Sequence, residues 1–298
     1  MSLTATRRDA RPAPAPPAPE RPRRPRRGDA GPGRYAVMVL SVLVLGVPLL
    51  WMVLAGFKQP DELYTVPLQW LPHSLDLSNY AEATSLVPMG TMFLNSVGIT
   101  LVGAAGEMLL GLGCAYALVF LDIPFRRAIF VAVIFTLLIP QQITIIPNYT
   151  LTAELGWINT YHGIVVPGLA SAFGTFLFRQ HFLTLPASIL EAAELDGAGH
   201  WRKLFQFIVP MSAPTIAAVG VVSVVGKWNE YLWPFLVTDD PDKMTLPVGL
   251  TLLQKVDGMQ DWGLLMAATS LVTLPMVVVF LVLQRRLVSG LTAGAVTG

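Results

Sequence analysis

The chain has 298 residues, 53% of them hydrophobic and only 13% charged, with a formal net charge of +1. A soluble globular domain carries roughly 25% charged residues, and here the apolar residues gather into runs near the ~20 that a helix needs to cross a bilayer. That pattern excludes an ordinary soluble domain, and the single cysteine, Cys114, excludes an intrachain disulfide.

Residues 1–34 are rich in Arg, Pro and Ala. Such a segment has too little apolar surface to offset the entropy of ordering, so a disordered basic tail is expected. The run Tyr35 to Phe57 is too long for a signal-peptide core and lacks a small-residue cleavage site, so it reads as a first, retained span. Further runs cover about Met92 to Phe120, Ala128 to Pro147, Gly163 to Phe182, Thr215 to Val237 and Leu264 to Leu283. The expected fold class is an all-α membrane protein of about six transmembrane helices over residues 35–290, followed by a short tail, 291–298. Pro140 and Pro147 are expected to kink or end the third run. Pro275 interrupts the sixth, which a membrane helix tolerates when neighbours satisfy the freed carbonyl.

The charges set an orientation. Six spans put both termini on one side, together with the tail arginines, Arg126, Arg127, Arg179, Arg202, Lys203, Arg285 and Arg286. Lys58, Lys243 and Lys255 fall on the other side. The bias of basic residues toward the cytoplasm therefore places both termini inside. Trp51, Trp157, Trp233 and Trp262 fall near the outer interface, where indole rings favour the headgroup zone.

The inner loop 184–210, between the fourth and fifth spans, departs from a plain connection. Pro186 suits a helix start, and Ser188 with Glu191 has the spacing of a capping box. Gly197 or Gly199 can supply a left-handed stop. A second short helix, about His200 to Val209, is expected to close at Pro210. Two short helices joined by glycine, with apolar faces, form a knob whose Leu190, Ala193 and Leu195 suit a partner's groove. A hairpin lying on the membrane surface is the alternative.

Intramembrane charges mark functional or paired positions. Glu107 is expected to hydrogen-bond a neighbouring helix. Lys227 and Glu230 are three residues apart and can pair on one helical face. Twelve residues from Thr215, at ~1.5 Å each, Lys227 sits roughly 18 Å into the membrane. Lys227, Asn229 and Glu230 are expected to border the outer end of a translocation path, where the ammonium would suit a phosphorylated solute. No catalytic constellation is present. Gly220 to Lys227 has five residues between its glycines, and Trp228 stands where a phosphate loop needs Ser or Thr.

EAAELDGAGHWRKLFQFIVP resembles the cytoplasmic EAA loop of ABC importer permeases: Glu191, Ala192, Ala193 and Gly197 match, Phe207 stands for the usual Ile, and Val209 for the usual Leu. NYTLTAELGWINTYHGIVVP, FGTFLFRQHFLTLP, WNEYLWPFLVTDD and GLTAGAVTG are similar to the second permease of the carbohydrate-uptake branch. FGTFLFRQHFLTLP and NEYLWPFL are most similar to the permease of importers for glycerol 3-phosphate and its diesters; an oligosaccharide such as maltose or trehalose is the alternative solute. The resemblance implies that Glu191, Ala192, Ala193, Asp196, Gly197 and Gly199 couple this chain to an ATPase. It also implies a homologous second permease as heterodimer partner, two copies of the ATPase, and an extracytoplasmic solute-binding protein. No cofactor is expected in this chain, since ATP and Mg bind the partner ATPase. Membrane lipid, not nucleic acid, is its surroundings, in a bacterial cell membrane. An ion-driven secondary transporter would show internal repeats around a midplane site, and no clear half-to-half repeat is seen.

Overall fold

The computed structural model describes residues 31–254 and 261–293, with side chains as far as Val282. Residues 1–30 of the expected tail, Lys255, Asp257, the Arg285 and Arg286 side chains and residues 294–298 lie outside that description. Among the described residues all regular structure is helical.

The chain divides into two units, 1–48 and 49–298. Helix α1 (Pro32–Ala55) begins in the first. It carries few polar side chains, and its large apolar residues from Tyr35 to Leu45 are each more than half exposed. Surface of that kind requires a non-aqueous neighbour.

In the second unit, α2 (Ser78–Leu86) leads into the long α3 (Met89–Phe120). The packing of α3 departs from that of a soluble helix. Leu101, Val102, Leu109 and Leu110 are more than half exposed, while Ser96, Thr100, Gly103, Ala104, Gly111 and Ala115 are buried. Helices in lipid gain nothing from hiding leucine, so small and hydroxylated residues take the helix–helix contacts, where backbones can approach closely. At Gly111 an added Cβ would lie 3.3 Å from the Thr175 amide nitrogen, so α3 nearly touches α7 (Ala172–Phe182). On its other sides α3 packs on α10 (Ala213–Asn229), which in turn packs on α12 (Trp262–Ala293).

Among the described residues, three helices are long and apolar enough to cross a membrane: α1, α3 and α12 over Trp262–Val282. The other expected spans are bent. The third run is split into α4 (Arg126–Thr136) and α5 (Gln141–Glu154), which meet at 96°. Pro140 occupies the cap of α5, where its ring disfavours a helical predecessor, while Pro147 is carried inside α5 and does not end it. The fourth run is split into α6 (Tyr161–Val165), a 3₁₀ turn over Val166–Gly168, and α7, bent by 45°. Thr160 and Ser171 cap the two pieces, accepting from the amides of Gly163 and Gly174 at 3.1 and 3.2 Å. The fifth run is also two helices: α10 stops at Glu230, which is extended, and α11 (Leu232–Val237) starts afresh. Pro275 lies within α12 without breaking it, as expected.

Polar side chains fasten the loop 238–246 over α3. The Asn95 amide donates to the carbonyls of Asp242 and Met244 at 2.8 and 3.0 Å, and the Leu246 amide donates to Ser96 Oγ at 2.8 Å. Asn159 bonds both Asp239 and the backbone of Asp240. Trp233, expected in the headgroup zone, is instead buried, and its indole N–H donates to the Gly163 carbonyl at 3.1 Å.

Candidate functional site

The hairpin begins at α8 (Ala187–Leu195), immediately after Pro186. No side chain caps it, so the Ser188–Glu191 box does not form. Its end follows the expectation. Gly197 has φ +75°, the Gly197 amide donates to the Glu194 carbonyl at 2.9 Å, and the Ala198 amide donates to the Ala193 carbonyl at 2.9 Å. This is a Schellman stop, with the buried pair Ala193 and Ala198 as its apolar contact. Gly199, at φ −67°, is not the left-handed residue.

The second helix, α9 (residues 200–211), runs past Pro210 to Met211 rather than closing there. A π turn over Lys203–Ile208 precedes the proline, which has no N–H to donate. At Ser212 the chain then turns by 83° into α10. The hairpin is tied down in three ways. Lys203, almost fully buried, donates to and pairs with the Glu194 carboxylate. Tyr116 Oη on α3 lies 3.0 Å from His200 Nδ1. Leu204 and Ile208 join Leu112, Phe178 and Phe182 in one apolar cluster. The Lys203 hydrogen bond holds the Glu194 carboxyl below the usual carboxylate range.

This seating corrects part of the docking surface. Ala193 is 2% exposed and Leu190 packs against the chain's own cluster, so neither is available to a groove. Leu195 is 91% exposed and Trp201 76%, and with Glu191, Ala192, Asp196, Gly197 and Gly199 they form the outer face.

The second candidate site is a cavity of about 220 Å³ walled by α3, α5, the break after α6, α10 and Thr245. Lys227 and Glu230 line it; Asn229 does not, being exposed with its amide donating to the Val225 carbonyl at 2.9 Å. The expected pairing of Lys227 with Glu230 is absent, because α10 ends between them and Glu230 leaves the helix. Lys227 Nζ instead donates to the Gly168 carbonyl at 2.5 Å and sits 3.5 Å from Glu107 Oε2. Glu107, expected to hydrogen-bond a neighbouring helix, instead forms an ion pair with Lys227 on α10. Two glycines make room: the lysine stem passes Gly103, and a Cβ on Gly168 would lie 2.9 Å from Nζ. The Gly168 carbonyl needs this partner because the helical ladder stops there.

The wall residues Gly168, Gln142, Asn148 and Thr245 were not among the expected site residues. Pro167-Gly168 inside an apolar run is a turn dipeptide and was the available signal for the first; the others come together only through the fold. Gly220 to Lys227 lies in regular α10 and forms no phosphate-cradling loop.

Residues 107–293 match the family model described as the binding-protein-dependent transport system inner membrane component. The sn-glycerol-3-phosphate transport system permease protein UgpE of Agrobacterium fabrum is 33% identical over 265 residues, covering 86% of this chain and 94% of the relative. The proteins of that description from Brucella abortus and Yersinia pestis are 32% and 33% identical, with the same shares covered. A chain in the crystal structure of a bacterial ABC transporter involved in import of the acidic polysaccharide alginate shares the fold, with a TM-score of 0.76 at 21% identity, covering 85% of this chain and 94% of that chain. Permeases of this kind are non-catalytic inner-membrane subunits that work with another permease, a separate ATPase and a binding protein. The chain belongs to the family of binding-protein-dependent transport system inner membrane components and is a multi-pass permease subunit of an ABC importer.

Proposed function

We propose that this permease serves an importer of sn-glycerol 3-phosphate or its diesters, as the second of two different permeases bound to two ATPase copies and an external solute-binding protein. The observation that carries the solute is the 32–33% identity, along 86% of this chain, to relatives described as sn-glycerol-3-phosphate permeases. Six spans follow if the bent pairs α4/α5 and α6/α7 each cross once and α10 crosses once, beside the three unbroken helices. The basic-residue bias then puts both termini, the Arg/Pro tail 1–34 and the tail 291–298 in the cytoplasm, with residues 35–290 as the membrane domain.

In this arrangement the hairpin is the coupling element. Glu191, Ala192, Asp196, Gly197 and Gly199 face a cleft in the ATPase, and Ala193 holds their helix in place from beneath. Its anchorage to α3 and α7 supports the role, because a lever must move as one body with the spans it drives. ATP and Mg bind the ATPase alone. Lys227 and Glu230 border the translocation path, with Asn229 on the turn between them.

Uptake of labelled sn-glycerol 3-phosphate, glycerophosphocholine and maltose by cells lacking this chain tests the solute. Loss confined to the phosphorylated solutes is the expected result; loss of maltose uptake instead would reassign the solute to an oligosaccharide. Cysteines placed at Leu195 and Asp76 test the topology with a membrane-impermeant thiol reagent. Labelling of the Leu195 position from outside would overturn it.

A further inference from the structure

We propose that the cavity between α3, α5 and α10 is a hydroxyl-reading subsite for the polyol end of the transported solute, formed by Glu230, Thr245 and Asn148. The inference rests on the reading that this cavity borders the path, and adds what the cavity recognises.

The unpaired groups carry the argument. Thr245 is 4% exposed, lines the cavity, and its Oγ1 has no hydrogen-bond partner among the described residues. Buried hydroxyls are almost always bonded, so an orphan on a residue that lines a cavity asks for a partner there. Loose packing does not account for it, because its neighbours on the same loop are fastened: Met244 to Asn95 and Leu246 to Ser96. Glu230 adds a carboxylate with no ion pair or side-chain hydrogen bond among the described residues, where α10 ends and the chain becomes extended. From the α5 wall, Asn148 presents an amide that is likewise unbonded.

Charge decides which solute group these residues face. The Lys227 ammonium is already shared between Glu107 and the Gly168 carbonyl. That leaves one uncompensated carboxylate on the wall, which repels phosphate and accepts hydroxyl protons. A carboxylate has two oxygens and takes both hydroxyls of a vicinal diol; an amide and a threonine hydroxyl can each donate and accept. Trp228 and Trp233 supply apolar faces beside them for the carbon skeleton. Drug-sized ligands occupy roughly 300–1,000 Å³, so a cavity of about 220 Å³ suits a small solute or one end of a larger one. A polyol phosphate would present its diol here and keep its phosphate away from Lys227.

The test uses the complete importer in proteoliposomes, with its partner permease, ATPase and binding protein. Uptake of sn-glycerol 3-phosphate is compared with that of its analogue lacking the 2-hydroxyl, and stimulation of ATPase activity by loaded binding protein is followed alongside. Glu230→Gln and Thr245→Val are expected to slow glycerol 3-phosphate uptake by ~10-fold and ~3-fold and to shrink the preference for the natural solute, since unpaired site groups penalise the analogue most. ATPase stimulation is expected to persist, and a Thr245→Ser variant to recover uptake. The paired change Glu107→Gln with Lys227→Met is expected to slow both solutes equally and leave the preference in place. If Glu230→Gln and Thr245→Val leave the preference at its wild-type value, the subsite is overturned while the transport reading stands. If the wild-type importer carries no polyol or sugar at all, both fall together.

Discussion

The hairpin and the cavity are each held by a lysine–carboxylate pair, and the two pairs do different work. In the hairpin, Lys203 is largely buried but the Glu194 side chain is 62% exposed, and the partners are nine residues apart in one loop. In the cavity, Lys227 and Glu107 are 22% and 14% exposed and come from helices 120 residues apart in sequence. Solvent screens the first pair, so it orients more than it stabilises. The second is enclosed by protein at membrane depth, where removing one partner strands a charge. A polar contact near the cytoplasmic face thus tolerates change that the same contact in the membrane does not.

Breaking the cavity pair is expected to have the largest effect. Lys227→Met strands Glu107 and should cost ~3–5 kcal/mol, read as a lower melting temperature of the purified importer; adding Glu107→Gln should recover much of it. Gly111→Val comes next. Its side chain meets the α7 backbone at Thr175, so ~1–3 kcal/mol should be lost through separation of α3 and α7, seen as reduced yield of assembled complex. Gly197→Val forces a β-branched residue into the left-handed region, and should cost ~1–2 kcal/mol locally while loosening ATPase attachment. Leu195→Asp, on a residue 91% exposed, should change stability by less than ~0.5 kcal/mol yet reduce co-purification of the ATPase.

The smallest effect is expected from pH at the hairpin. The Glu194 carboxyl titrates below its ordinary range in the folded chain, so the contribution of its pair is complete above that range. It is lost as pH falls through the folded value. Coupling of transport to ATP hydrolysis should therefore be flat near neutrality and weaken only under acid, and Glu194→Gln should remove the acid step. If Glu194→Gln instead weakened transport as strongly as Lys227→Met, the contrast between the two pairs would be wrong.

The hairpin was more legible in the sequence than the cavity because its determinants are local. At the end of α8 the Gly197 amide bonds three residues back and the Ala198 amide five residues back, a distance that a reading of AELDGAG spans. The same reading misassigned Leu190 and Ala193, because an apolar face cannot declare whether it packs on its own chain or on another. The membrane runs showed where apolar length lies but not where it breaks. Leu137 to Pro140 and Val166 to Ser171 are as hydrophobic as their flanks, and only proline and glycine hint at the turns. Lys227 illustrates the cost of local reasoning: helical spacing offered Glu230, but α10 ends before that geometry is completed, and Glu107 takes its place. Thr245 gave no signal at all, since its unpaired hydroxyl exists only once the loop is fastened to Asn95 and Ser96.

The break between α6 and α7 has a consequence for how such a permease changes over evolutionary time. Where a helix is interrupted, the wall is built partly from main chain, and the Gly168 carbonyl is one such group. A carbonyl oxygen does not change when the side chains around it do. Selection can therefore redraw the side chains around the cavity, and with them the choice of cargo, while the acceptor that holds Lys227 in place is inherited unchanged.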